Sequence, residues 1–312
     1  MRGRRCTARF RAGSPTSGVT DSAAGEAAAR EAAPPAEAAT GRLDAELVRR
    51  GLARSRGQAR ELLERGSVLV AGEPAQKPSA RVGPEDRVEL TAVPDPWVGR
   101  AAYKLLEALR IFGEQGLRVE GRRCLDVGAS TGGFTQVLLH AGAASVVSLD
   151  VGHGQLAPSL ARDPRVDERS GTNVRDVRPG DLGAAFDLVV ADLSFISLRL
   201  ALAPMLGQLR PDGDLLALVK PQFEVGRDRL TRTGVVTSPV EHARVLRDVL
   251  FAALDLGLEV AGLVPSPIRG GDGNREYLVW VSPRPGARTD QGPVKAVEAL
   301  VAQVTEQAKG RP

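Results

Sequence analysis

LDVGASTGGFT, residues 125–135, decides how the rest of the chain is read. A short apolar run carries an acid, Asp126, at its end and opens onto Gly128, Gly132 and Gly133. A helix-like stretch follows, with Phe134, Val137 and Leu138 on one side. Strand, glycine turn, helix is the start of a Rossmann-like unit, and glycines there let backbone approach a ligand closely. The next strand-like run, SVVSLDV, closes near Asp150, from where an acid can hold ribose hydroxyls.

A dinucleotide loop prefers G-x-G-x-x-G and a bare helix N-terminus for pyrophosphate. Here the loop reads G-A-S-T-G-G and follows an acid. A carboxylate repels pyrophosphate and suits S-adenosylmethionine, which has a sulfonium cation and an amino-acid tail but no phosphate. The expected cofactor contacts are Asp126, Gly128, Ser130, Gly132, Gly133, Phe134, Asp150 and Asp192.

Working outward, residues 100–282 alternate strand-like and helix-like segments, as βαβ units do. The strand candidates are RRCLDV, SVVSLDV, FDLVVAD, DLLALVK, LEVAGLV and EYLVWVS. Asp192 and Lys220 each close one of these runs, Glu276 opens another, and Lys104 begins the helix-like AAYKLLEALRIF. In open α/β sheets ligands bind beyond the carboxyl ends of the strands. Two lysines and two carboxylates converging there point to group transfer onto a polar atom. Ser238, Pro239 and Glu241 predict a capped helix start. A last amphipathic helix places Val294, Val297, Leu300, Val301 and Val304 on one face.

The type of acceptor follows partly by elimination. Base-nitrogen methylation usually goes with a Pro-Pro-aromatic segment, and here that place reads Asp192-Leu193-Ser194-Phe195. Attack through the cytosine carbon needs a cysteine nucleophile. Cys6 and Cys124 are the only two cysteines, and neither stands at a strand's carboxyl end. A hydroxyl acceptor remains, and its proton must leave. A lysine accepts a proton only in its neutral form, which desolvation or a second cation favours. Lys220 is the expected base.

Before this domain lies a smaller unit, residues 42–92. Two helix-like segments, RLDAELVRRGL and RGQARELLERG, are joined by an Arg-Ser-Arg turn and followed by SVLVAG, a GEPA turn and DRVEL. Arg49, Arg50, Arg54, Arg56 and Arg60 crowd the two helices, a pattern that fits phosphate neutralisation. The order resembles the S-four type of RNA-binding domain, which implies an RNA partner for those arginines. Residues 93–99 read as a linker. Residues 1–41, rich in Ala, Gly, Ser and Pro without hydrophobic period, read as a disordered extension.

VGASTGGFT, DVGHGQL, VVADLSFISL, LVKPQFEVG and Asn274-Arg275-Glu276 together resemble the TlyA family. These are rRNA 2′-O-methyltransferases with an FtsJ-like domain, sometimes called haemolysins. The resemblance implies an FtsJ-like methyltransferase domain over residues 100–312. It also implies a catalytic tetrad of Lys104, Asp192, Lys220 and Glu276, and cytidine ribose of 16S and 23S rRNA as substrate. Two places depart from the family pattern: Ala101 stands where a glycine is usual, and Asp95-Pro96-Trp97-Val98 replaces Arg-x-Trp-Val.

Composition is compatible with this reading. The 312 residues allow about two domains, and 42% apolar with 26% charged residues is ordinary for a globular protein. A net charge of +4 fits a polyanionic partner, and the resemblance implies that this is rRNA in ribosomal subunits. Three histidines without ligand spacing argue against a metal site, and two cysteines against a disulfide framework, so a reduced, cytoplasmic setting is expected. The rival readings are a membrane-active haemolysin and a catalytically inactive RNA-binding module. The first needs an apolar span or a basic amphipathic segment, and the second conflicts with a complete tetrad.

Overall fold

A computed structural model describes residues 40–53, 55–64, 66–91, 95–230, 233–283 and 292–309. The expected disordered extension, Cys6 and Arg54 therefore lie outside the described residues, apart from Thr40 and Gly41. The chain divides into two compact units, residues 1–94 and 95–312.

The first unit contains β1 (Gly41–Arg42), α1 (Leu43–Arg49), α2 (Arg56–Glu64), β2 (Val68–Val70), β3 (Glu73–Pro74), β4 (Arg81–Val82) and β5 (Val88–Leu90). Leu43 and Leu47 of α1 meet Ala59 and Leu63 of α2 over Val68, forming a small core. Ser55 caps α2, its hydroxyl accepting from Gln58 N at 3.2 Å. Strand β2 is the centre of a three-stranded antiparallel sheet in the order β3-β2-β5, and β1 pairs with β4. Gly41, read as the end of the extension, is thus part of the fold, opposite Val82.

The second unit contains α3 (Ala102–Glu114), β6 (Arg123–Val127), α4 (Gly133–His140), β7 (Ser145–Asp150), α5 (Pro158–Ala161) and β8 (Val166–Ser170). It continues with β9 (Phe186–Ala191), α6 (Leu198–Leu206), β10 (Leu209–Val219), α7 (Pro221–Glu224), α8 (Pro239–Asp255), β11 (Glu259–Pro265), β12 (Tyr277–Ser282) and α9 (Gly292–Lys309). The sheet order is β11-β12-β10-β9-β6-β7-β8; β12 runs antiparallel to both its neighbours and the pairings from β10 to β8 are parallel. Strands β9 and β10 are covered on both faces, which is why they read as nearly continuous apolar runs. Helices α3 and α4 bury Leu105, Phe112, Phe134 and Leu138 on one face. Helices α6, α8 and α9 bury Leu202, Val249, Val297 and Val301 on the other. Val294, expected on the apolar stripe of the last helix, is exposed.

Two further features differ from the sequence reading. Strand β8, VDERS, was not expected because it has no apolar alternation. It is an edge strand, and its exposed Asp167, Glu168 and Arg169 discourage pairing with another chain. The segment read as a linker is not free from residue 95 onward. Trp97 packs edge-on against His140, 5.5 Å between ring centres. Gln136 of α4 accepts from Val98 N and donates to Pro96 O. An indole finds more favourable burial on α4 than in solvent, so residues 95–99 belong to the second unit.

Candidate active site

Strand order reverses between β6 and β9, so a crevice opens beyond the carboxyl ends of these two strands. The residues following them meet there. Asp192 N donates to Val127 O at 3.1 Å. Gly128, at φ +83°, passes so close that a β-carbon on it would lie 2.7 Å from the Asp192 carbonyl oxygen.

The four residues picked from the sequence come together in this crevice. Lys104, in the first turn of α3, places Nζ 2.7 Å from Glu276 Oε2 and 3.2 Å from Asp192 Oδ2. Lys220, at the end of β10, places Nζ 2.6 Å from Asp192 Oδ1 and donates to Ser194 Oγ at 2.9 Å. Asp192 therefore bridges the two ammonium groups. All four side chains are at most 12% exposed. Burial alone would raise the Asp192 pKa, but the charges of Lys104 and Lys220 outweigh it and hold the carboxyl below its ordinary value. Gln222 Nε2 lies 3.5 Å from Glu276 Oε1.

Neighbouring backbone is shaped around the tetrad. Glu276 is seated against Gly270, where a β-carbon would come within 2.5 Å of Oε1. Asn274, fully buried, accepts from Val236 N and donates to Gly234 O, tying the loop before β12 to the loop before α8. Glu224 is also buried. Its carboxylate accepts from Ser197 Oγ at 2.6 Å and Leu198 N at 2.5 Å, joining the Lys220 segment to the loop after Asp192. Burial raises its pKa, with those two bonds opposing.

That loop carries Phe195, which is 92% exposed and has φ +64°. A bulky residue there is strained. Its ring stands 5.3 Å from Phe223, whose own ring lies 5.9 Å from Lys220 Nζ. Ser194, Phe195, Gln222 and Phe223 had no assigned role at the sequence level. The available signal was polar and aromatic residues directly after two apolar strands.

The expected cofactor residues separate into two groups. Asp150 lies at the strand end as expected, with Oδ2 accepting from Ser130 N at 2.8 Å and Oδ1 from Gly152 N at 2.7 Å. Ser130 takes φ +48°, and its hydroxyl donates to Gln155 Oε1. Gly128, Ser130, Asp150 and Asp192 thus line the crevice side of the loop. Asp126 and Phe134 face inward instead. The strand runs through Val127, so Asp126 is inside the sheet, opposite Ser148, and accepts from Thr135 Oγ1 at 2.7 Å. Burial pushes its pKa up to about 7, with the Thr135 bonds opposing. Phe134 is core, 2% exposed.

The glycines also serve the protein's own packing, a role not expected from sequence. A β-carbon on Gly132, at φ +92°, would strike Leu156 and Leu160, and one on Gly133 would lie 3.1 Å from Ala102 N. Ala101 sits 3.4 Å from that same point, so the residue that departs from the family pattern packs on the glycine loop.

In the first unit the four described arginines expected to bind RNA are held by acids of their own fold. Arg49 and Arg50 pair with Glu46; Arg56 and Arg60 approach the fully buried Asp44 at 2.9 and 3.9 Å. Pairing with Arg42 and Arg56 drives the Asp44 pKa well below its ordinary value despite burial. Arg50 also donates to Asp86 O and Gly83 O and is a structural brace. Arg49, Arg56 and Arg60 are more than half exposed. Their exposed guanidinium donors can meet a phosphate while Asp44 and Glu46 keep hold of the other side. Among the described residues no helix is long and apolar enough to cross a membrane.

Comparison with known proteins shows the family. Residues 97–282 match the FtsJ-like methyltransferase family and residues 41–88 the S4 domain. The chain is 51% identical over 243 residues to the 16S/23S rRNA (cytidine-2′-O)-methyltransferase TlyA of Mycobacterium tuberculosis, covering 77% of this chain and 89% of that one. It is 34% identical to Hemolysin A of Brachyspira hyodysenteriae, over 76% of this chain and 98% of that protein. A solved structure from Streptococcus thermophilus, named a candidate hemolysin, superposes with a TM-score of 0.66 at 36% identity, covering 86% of this chain and 97% of its own. The chain therefore belongs to the TlyA family, with an FtsJ-like methyltransferase domain preceded in sequence by an S4 domain.

Proposed function

We propose that this protein transfers a methyl group from S-adenosylmethionine to the 2′-oxygen of cytidine ribose in 16S and 23S rRNA, with Lys220 taking the hydroxyl proton. The relatives' names supply the substrate class, and the observation that supports the chemistry is Asp192 bridging Lys104 and Lys220.

The cofactor, when bound, supplies a methyl group on a sulfonium cation that leaves as a neutral thioether. The residues present fit it. Asp150 has lone pairs left for ribose hydroxyls after its two backbone bonds. Gly128 and Ser130 hold left-handed conformations that turn the loop's backbone around the crevice. Asp192 brings negative charge near the transfer point.

The two lysines are not equivalent. Lys104 is held by two carboxylates, whereas Lys220 touches one carboxylate and a neutral hydroxyl. Losing a proton from Lys104 would leave Asp192 and Glu276 without their shared cation. Losing one from Lys220 leaves Asp192 still paired with Lys104. Lys220 is thus the lysine able to enter the reaction as an amine, accept the ribose proton and become ammonium beside Asp192. Lys104 and Glu276 orient the acceptor, and displacement at carbon makes that alignment as important as basicity. Phe195 and Phe223 offer ring faces at the mouth, where an unpaired nucleobase can stack.

The S4 unit supplies affinity through Arg49, Arg56 and Arg60, while Arg50 supports their helix. A cytoplasmic enzyme acting on ribosomal subunits fits this assignment. The deciding experiment is to incubate ribosomal subunits lacking the modification with the protein and S-adenosylmethionine, then map 2′-O-methyls along both rRNAs. New cytidine methyls that depend on the cofactor support the reading; their absence, or methylation confined to a base atom, overturns it.

A further inference from the structure

The loop that carries Glu276 has a second side. Behind it lies a cavity of about 270 Å³, walled by Val235, Val236, Pro239 and Tyr277, with Arg269 and Arg275 also lining it. Among the described residues, no Asp or Glu lines it. His242 reaches it as well, but both ring nitrogens are engaged. Nε2 donates to Val236 O at 2.8 Å, which fixes the tautomer, and Nδ1 accepts from the Tyr277 hydroxyl at 3.0 Å. Burial lowers the His242 pKa, consistent with a neutral ring. The walls are therefore mainly apolar, and the charge they contribute is positive.

A mainly apolar slot whose described charged residues are Arg269 and Arg275 matches one nucleotide: a flat base that leaves water and a phosphate that remains charged. Its position favours a nucleotide attached to the substrate. Arg275 and Tyr277 flank Glu276 in sequence, and Gly270 touches Glu276 while its neighbour Arg269 lines the cavity. Asn274 bonds to Val236 and Gly234, so the cavity wall and the Glu276 loop are held together. Sequence-specific proteins commonly recognise RNA by splaying unpaired bases into separate pockets.

We infer that this cavity receives the base of an unpaired nucleotide flanking the acceptor cytidine, with its phosphate on Arg269 and Arg275. The inference rests on the RNA reading above. It gives the enzyme a second recognition point beside the Glu276 loop.

Two variants test it in the full chain with ribosomal subunits as substrate. Arg269→Glu reverses a charge on an exposed side chain, and Thr237→Trp adds bulk at a residue that also lines the cavity. Each is expected to raise KM for the subunit by about tenfold, roughly the contribution of one lost phosphate or base contact. The melting temperature and S-adenosylmethionine affinity should stay at wild-type values. In a second arm, subunits containing 4-thiouridine are irradiated with the wild-type protein. Cross-linked peptides from residues 233–245 or 269–280 are expected. If wild type methylates the subunits while both variants keep its KM and those peptides stay free of RNA, the cavity's role is overturned and the methyltransferase reading survives. If wild type leaves rRNA unmethylated, both fall.

Discussion

Gly128 and the Asp192 carbonyl are packed so tightly that the loop after β6 has no room for a side chain there: a β-carbon would sit 2.7 Å from that oxygen. The glycine loop and the strand end carrying the bridging carboxylate are thus one mechanical unit.

Gly128→Ala should therefore impair chemistry as well as binding. The new methyl group meets backbone, which cannot swing aside, and also occupies a left-handed conformation costing about 1–2 kcal/mol. At Gly132 the same change meets the ends of Leu156 and Leu160, which can rotate away. Methylation kinetics should show kcat lowered about tenfold or more for Gly128→Ala, and a clearly smaller loss for Gly132→Ala.

Lys220→Arg keeps the positive charge beside Asp192 but places a guanidinium that does not release its proton. Turnover should be lost while S-adenosylmethionine and RNA still bind, as judged by calorimetry and filter binding. Substantial activity between pH 7 and 9 would mean that the residue only places charge and that another group takes the proton.

Asp126 gives a pH signature. The unfolded chain releases this proton near 3.8, and the folded chain near 7 because burial opposes ionisation. Between those values the folded state binds the extra proton, so the contribution to stability falls as pH rises through the window. Asp126→Asn lacks that dependence. The denaturant midpoint of the variant relative to wild type should rise from pH 4 to 7 and level off above 7. A pH-independent difference would show that the carboxyl titrates normally in the fold.

Glu224→Gln leaves one acceptor oxygen where Ser197 and Leu198 each bond a different one, and it also removes the charge that faces Arg199 at 3.4 Å. Losing one buried bond should lower stability by about 1–3 kcal/mol. Because Glu224 joins the segment after Lys220 to the loop after Asp192, kcat should fall with little change in cofactor affinity. Denaturation curves and steady-state kinetics together check this; unchanged kcat in a folded variant would make the residue purely structural.

The tetrad was legible because each member breaks an apolar pattern at a strand or helix terminus, and sheet geometry gathers such positions. Residues whose roles depend on distant partners were not. Gly128 looks like a ligand-binding glycine until Asp192, far along the chain, appears against it. Asp126 was read as ending its strand, and one further strand residue, Val127, turns it from a crevice acid into a buried one beside Thr135 and Ser148. The arginines of the first unit showed their helical clustering, but counting charge did not reveal that Asp44 and Glu46 already hold them. Glu46 is three and four residues from Arg49 and Arg50, a spacing that makes those two pairs legible in principle.

Under the proposed stacking role, Phe195 places stability and recognition in conflict at one residue. An aromatic ring kept almost wholly in water, on backbone that glycine would adopt freely, gains little from its tilted contact with Phe223 towards holding the free protein together. Changes such as Phe195→Gly should make the isolated fold hardier and the enzyme poorer. Selection for thermal tolerance alone would remove this side chain early, whereas selection for a modified ribosome would retain it.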